Sequence, residues 1–286
     1  MLGLIPEFVL ESNKKMTGKT IFLKNKIALL SLVFLVVLAF LALLAPWVTH
    51  YSFEEQNFAQ TLQPPSSLHW MGTDSLGRDL MSRIIYGARI SLTVGLFTTF
   101  SALILGTFVG SIAGYYGGWL DSLLMRVVDL VYIFPSTLLA ILIMVMVGRG
   151  FLGILAALAV TSWVTQARLV RGLVLHLREL NYIEAARAMG ITDTSILLRH
   201  IWPNILGPII VSLTFQIPSN IMAESFLSFI GLGLQPPLSS WGTLASEGFR
   251  GIRSFPHLMI FPGTVLFVTM LAFNYLGEGL RDLWGD

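Results

Sequence analysis

The chain has 286 residues, of which 55% are hydrophobic and only 12% charged, with a net charge of +2. Soluble domains carry about 25% charged residues, so this composition excludes one and points to an integral membrane protein. The slight basic excess reads as membrane topology rather than nucleic-acid binding, and the lack of cysteine excludes disulfides, thiolate chemistry and cysteine metal sites.

Residues 1–26 are polar and carry Lys14, Lys15, Lys19, Lys24 and Lys26, which suits a cytoplasmic N-terminal segment. Ile27 to Ala45 is an unbroken apolar run, long enough to cross ~30 Å of hydrocarbon. A signal peptide is the rival reading. The run exceeds a usual signal core, and Pro46 and Trp47 follow it in place of a small-residue cleavage site. A retained first helix is therefore expected over 27–48, with Trp47 at the far interface.

Residues 49–89 read as an external loop, extended around Pro64 and Pro65. Gly72, Thr73 and Asp74 form a turn, and Ser75 to Ala88 reads as an amphipathic segment with Leu76, Leu80, Ile84 and Ile85 opposite Arg78, Asp79 and Arg83. Asp74, Arg78 and Asp79 are expected to hold this turn together by local salt bridges.

Ile90 to Tyr116 is the second span, with a small-residue stripe at Gly95, Gly106, Gly110 and Gly114 suited to tight helix packing. Gly117, Gly118 and Asp121 give a turn, and Val127 to Val147 is the third span, kinked at Pro135. Within it, Asp129 is expected to pair with Arg126 three residues earlier; a proton-relay or pathway role is the sharper alternative. The fourth span runs from Phe151 to about Val170. The fifth runs from Ile205 to about Met222, broken by Pro208 and Pro218, with Gln216 as a polar group facing a pathway. Glu224 follows near the outer edge, as an interfacial carboxylate paired with Arg250 or Arg253 or as a pathway-lining group. Residues 231–256 read as an outer loop, Leu258 to Leu276 as the sixth span, and 281–286 as a cytoplasmic tail.

Between the fourth and fifth spans lies EAARAMGITDTSILLRHIWP, residues 184–203, too charged to sit in lipid. Ala185, Ala186, Ala188 and Met189 favour a helix, Gly190 stops it, and Thr192, Asp193 and Thr194 can cap a second helix that breaks at Pro203. Arg168, Arg171 and Arg178 upstream place this loop in the cytoplasm. With both termini inside, the inner segments hold the five lysines and seven arginines, and the outer ones hold Arg78, Arg83, Arg89, Arg149, Arg250 and Arg253. That bias follows the positive-inside pattern.

The loop resembles the EAA motif of ABC-transporter permeases. Glu184, Ala185, Ala186, Gly190 and Pro203 fall on the motif, while His200 stands where Ile is expected and Trp202 where Leu is expected, with Ile201 one place late. GTDSLGRD, SR, YGAR and SL within residues 69–92, and AESFLSFIGLGLQPPLSSWG after the fifth span, resemble the C-type subunit of the dipeptide and oligopeptide permeases. The resemblance implies an all-α protein of six transmembrane helices with a MetI-like core over 90–280. It implies that the loop docks into a cleft of an ATPase subunit and passes motion to the helices. A B-type permease as heterodimeric partner, two ABC ATPases and an extracytoplasmic solute-binding protein are implied with it. No G-x-x-x-x-G-K-[ST] occurs, so no cofactor is expected on this chain, and ATP and Mg belong to the partner subunits. Di- or oligopeptides are the leading cargo; nickel chelates, glutathione and some sugars use the same subfamily.

Two readings from other classes are weighed against this one. A proton-coupled secondary transporter calls for inverted repeats and central ionisable groups, of which only Asp129 and Glu224 are candidates. An intramembrane enzyme calls for a paired catalytic constellation. The five histidines are scattered, and no metal site or catalytic group is expected.

Overall fold

The computed structural model describes residues 25–284. The N-terminal segment 1–24, with four of its five lysines, and the last two residues of the tail lie outside the described residues. Helix α1 (Lys26–Leu43) is capped by Asn25, whose side chain accepts from Ala28 N at 3.1 Å, and a short α2 (Ala45–Val48) extends it to the exposed Trp47. Helix α3 (Leu80–Tyr116) is 37 residues long and spans about 55 Å at 1.5 Å per residue. It therefore absorbs most of the expected external amphipathic segment. Asp79 starts it, accepting from Ser82 N at 2.8 Å.

The expected third span is two helices, α4 (Gly118–Ile133) and α5 (Ser136–Val147), meeting at 90° around Phe134 and Pro135. The expected kink is a break. Proline removes the amide that would continue the ladder and restricts the residue before it, and Phe134 is extended at ψ 133°. The expected turn at Gly117, Gly118 and Asp121 is shorter than predicted, because α4 begins at Gly118. Helices α6 (Phe151–Arg178), α7 (Asn181–Ala188) and α8 (Asp193–Ile196) follow, then a π turn (Leu197–Ile201), α9 (Trp202–Phe229), α10 (Trp241–Phe249) and α11 (His257–Trp284). Among the described residues, five continuous helices are long and apolar enough to cross a membrane, and the bent pair α4–α5 brings the number to six. Large apolar side chains such as Phe40, Phe100, Leu138 and Met146 are exposed, as expected where lipid is the solvent.

The most extensive packing joins α3 to α6. A Cβ at Gly106 would lie 2.6 Å from Gln166 Cβ, one at Gly110 2.4 Å from Ala167 O, and one at Gly114 2.8 Å from Arg171 O. These glycines let the two backbones touch, so the predicted stripe is a crossing surface. Gly95 belongs to another contact, against Ile221 of α9.

The segment before α3 is a folded collar rather than an extended loop. Leu62 N donates to Asp74 O, Thr73 N to Gln63 O and Leu80 N to Gly72 O. Asp74 accepts from Arg78 Nε at 2.7 Å, the expected local bridge. Yet Arg78 and Arg83 do not face solvent. They are 4% and 1% exposed, and Arg83 Nη1 reaches Asp74 Oδ2 at 2.6 Å and Glu247 Oε2 at 2.5 Å. Glu247 lies on α10, a helix unexpected in the outer loop. A capping box between Ser240 and Thr243 starts it, and fully buried Trp241 donates its indole N–H to Ile84 O at 3.1 Å.

Candidate functional site

Three features carry chemistry: an exposed helical knuckle, a polar cavity and a buried carboxyl. The knuckle is α7, Gly190 and α8. Ile183 and Ala186 are buried and pin α7 against Val170 and Val174 of α6, whereas Glu184, Ala185, Ala188 and Met189 are exposed. Gly190 takes φ +77°, the left-handed turn that favours glycine, and its amide donates to Arg187 O. Thr192 precedes Asp193 in extended conformation but makes no side-chain cap.

The second helix does not end at Pro203, as expected from sequence. Residues 193–229 form one continuous helix. Trp202 N donates to Leu197 O across the widened π turn, so the ladder changes register just before the proline that lacks an amide. The same turn inserts one residue. Buried positions therefore run Ile196, Ile201, Ile205, Ile209, spaced five and then four. This explains why the apolar residue of the motif comes one place late: Ile201 fills the core, and Trp202 sits beside it with its indole donating to Ser111 Oγ at 3.1 Å. Pro208 and Pro218 likewise sit inside α9 without ending it.

Polar bonds fasten the knuckle to the bundle. Tyr115, at the end of α3, donates to Asp193 Oδ1 at 2.6 Å. Arg187 lies 5.7 Å from the centre of the Tyr115 ring. Arg178 Nη1 donates to Gly114 O and Tyr115 O, closing the C-terminus of α3. Asp129 is half-exposed and pairs with Arg168 at 2.5 Å, not with the neighbouring Arg126. Arg171 holds Asp121 with two bonds, at 2.6 and 2.7 Å. Both pairs tie α4 to α6.

The cavity holds about 420 Å³ between α5, α6 and α9. Its wall combines ten serine, threonine, asparagine and glutamine residues with six apolar ones and contains no charged residue. Gln216 lines it, its Nε2 donating to Ser162 O at 2.8 Å. Ser162 donates to Asn220 Oδ1, and Asn220 Nδ2 to Thr99 Oγ1, each at 2.9 Å. Sequence reasoning found Gln216 but missed Asn220 and Ser162. Their signal was available: Gln216 and Asn220 are four apart on one helix.

Glu224 is fully buried and does not line this cavity. Its expected partners, Arg250 and Arg253, do not reach it. It accepts from Ser228 Oγ at 2.7 Å and Ser91 Oγ at 3.1 Å, with Ser225 Oγ at 3.4 Å. Ser91 Oγ in turn accepts from Trp241 N at 3.3 Å. Serines within one turn on α9, and Ser91 on α3, can satisfy a carboxyl with no counter-charge. The cluster thus holds the start of α10 against α3 and α9. Glu224→Ala is expected to remove about 1.5 kcal/mol from that attachment. Hydrogen exchange by mass spectrometry should then show residues 240–244 opening about tenfold more often, with α6 unchanged.

Residues 106–284 match the family model described as "Binding-protein-dependent transport system inner membrane component", and residues 20–65 match "N-terminal TM domain of oligopeptide transport permease C". The chain is 40% identical over 261 residues to the oligopeptide transport system permease protein OppC of Bacillus subtilis, covering 91% of this chain and 86% of the relative. It is 44% identical to the dipeptide transport system permease protein DppC of Alkalihalophilus pseudofirmus, over 91% and 85%. It is 42% identical to the glutathione transport system permease protein GsiD of Pectobacterium atrosepticum, over 91% and 87%. The MetNI methionine ABC transporter in an inward-facing conformation shares the fold, with a TM-score of 0.57 at 19% identity, over 71% of this chain and 97% of that one. Sequence, fold and the helical knuckle thus agree, and the chain belongs to the family of binding-protein-dependent transport system inner membrane components, the permeases of ABC importers.

Proposed function

We propose that this chain forms half of the translocation path for di- or oligopeptides and is driven through its knuckle by a separate ATPase. The carrying observation is mechanical: an exposed helix and glycine turn feed directly into a 37-residue helix that also lines the polar cavity. A push on Glu184, Ala185 or Gly190 passes through the Gly190 turn to Asp193 and from there along one continuous helix to Gln216. Physically this is a two-state element biased by a partner whose shape depends on its nucleotide. In this reading the knuckle and both termini are cytoplasmic and the collar and α10 are external. ATP and Mg reside on two partner ATPases. A B-type permease supplies the other half of the path, and an extracytoplasmic binding protein delivers solute. Peptide cargo is supported by the relatives named for oligopeptide, dipeptide and glutathione, the last itself a tripeptide.

Gly190→Pro tests the lever. Proline fixes φ near −65°, against the +77° observed, and removes the amide that donates to Arg187 O. In the reconstituted transporter, peptide uptake is expected to fall by at least about tenfold, the loss of roughly 1.4 kcal/mol of coupling. Basal ATP hydrolysis and co-purification of the B-type subunit should persist. Undiminished uptake would refute the lever. Binding measurements on the partner solute-binding protein would decide peptide against metal chelate.

A further inference from the structure

The cavity between α5, α6 and α9 says what kind of solute contact this subunit makes. Its polar wall is partly used up by itself. Ser162 bonds Asn220, Asn220 also donates to Thr99 on α3, and Gln216 Nε2 is committed to Ser162 O. Two groups are left over. Gln166, 2% exposed, has one carboxamide atom with no partner among the described residues, and no donor among them reaches Gln216 Oε1. Two carboxamides with unused capacity thus stand on facing helices. The two acidic groups proposed from sequence as pathway residues are engaged elsewhere: Asp129 with Arg168, and Glu224 with serines.

We propose that this cavity is a charge-neutral contact for a polyamide solute and that Gln216 sets its charge preference. The proposal rests on the transport reading above and adds a specificity-determining residue to it. A peptide backbone offers alternating N–H and C=O groups, and hydroxyls and carboxamides can serve either. A wall without charge neither attracts nor repels the solute's side chains, so cationic and anionic solutes pass alike. The argument turns on electrostatics at short range. In a confined cavity a fixed unit charge acts on a solute charge far more strongly than it would in bulk water. Changing Gln216 to glutamate or lysine should therefore impose opposite selection on charged solutes.

The chain has no cysteine, so Ser219→Cys places a single reporter thiol in the cavity wall. In the complete transporter, cationic and anionic methanethiosulfonate reagents of matched size should modify that thiol at rates within about threefold, after correction for their reaction with a free thiol. Adding Gln216→Glu should shift the ratio about tenfold toward the cationic reagent, and Gln216→Lys about tenfold the other way. An unreactive thiol, or a ratio that ignores both substitutions, overturns the proposal. Uptake of three tripeptides differing only in a central Lys, Gln or Glu provides the cargo arm. Comparable maximal rates are expected for the unsubstituted chain, and opposite skews for the two variants. If none of the three is moved by the unsubstituted transporter, the peptide reading fails, while the thiol ratios still decide the cavity.

Discussion

Gly110→Leu is expected to prevent α3 and α6 from closing on one another. Even a Cβ at Gly110 would lie 2.4 Å from Ala167 O and 2.9 Å from Arg171 N. Both obstacles are backbone, so no rotamer change relieves them. The helices must separate, and the loss spreads to the Gly106 and Gly114 contacts one turn either side. Ordinary overpacking costs about 1–3 kcal/mol, and a leucine against two fixed backbones should exceed that range. Separation would also draw Arg171 from Asp121 and displace Tyr115 from Asp193, because Arg171 sits on α6 and Tyr115 on α3. Thermal unfolding in detergent, followed by tryptophan fluorescence, should show a drop of several degrees for Gly110→Ala. For Gly110→Leu it should show loss of the monodisperse species. Gly172→Ala is the control, since nothing lies within 4 Å of its added Cβ. Equal stability of Gly110→Leu and the parent would mean that the crossing is not close-packed.

This crossing was legible in the sequence because small residues four apart leave a periodic trace. The five continuous spans and the knuckle were legible for similar local reasons: unbroken hydropathy in one case, and charge with alanine, glycine and cap chemistry in the other. What escaped was set by distant residues. Asp129 chooses Arg168, 39 positions away, over Arg126, because α4 lies against α6 and a local pairing rule cannot know that. The depth of the bend at Pro135 depends on what α4 and α5 each pack against. Pro203 looked like a terminus because the π turn that accommodates it has no composition of its own. Helix α10 hid because it has only nine residues, two of them glycine, and its cap is a Ser–Thr pair rather than the usual Ser–Glu. Gln216 was visible as a polar intruder, but the neutral cavity it joins is made by three helices at once.

The other large effect is expected at Arg83, whose guanidinium holds both the collar and α10, with Arg78 Nη2 a further 3.6 Å from Glu247 Oε2. Arg83 is 1% exposed and lies between Asp74 and Glu247, residues on segments far apart in sequence. Arg83→Met fills the same space without the charge. Removing one member of a buried ion pair costs about 3–5 kcal/mol, since the partner stays buried and unpaired. The lower end applies here, because Arg78 still holds Asp74 at 2.7 Å and the Glu247 side chain is 40% exposed and can turn to water. About 3 kcal/mol is therefore expected. Thermal unfolding should show it, along with faster proteolysis between residues 49 and 79. The double variant Arg83→Met, Glu247→Leu discriminates between two causes. If the loss comes from a stranded carboxylate, deleting Glu247 should restore roughly half of it. If it comes from lost alignment of α10 over Ile84 and Trp241, the second substitution should restore nothing, and exchange at Trp241 should rise in both variants.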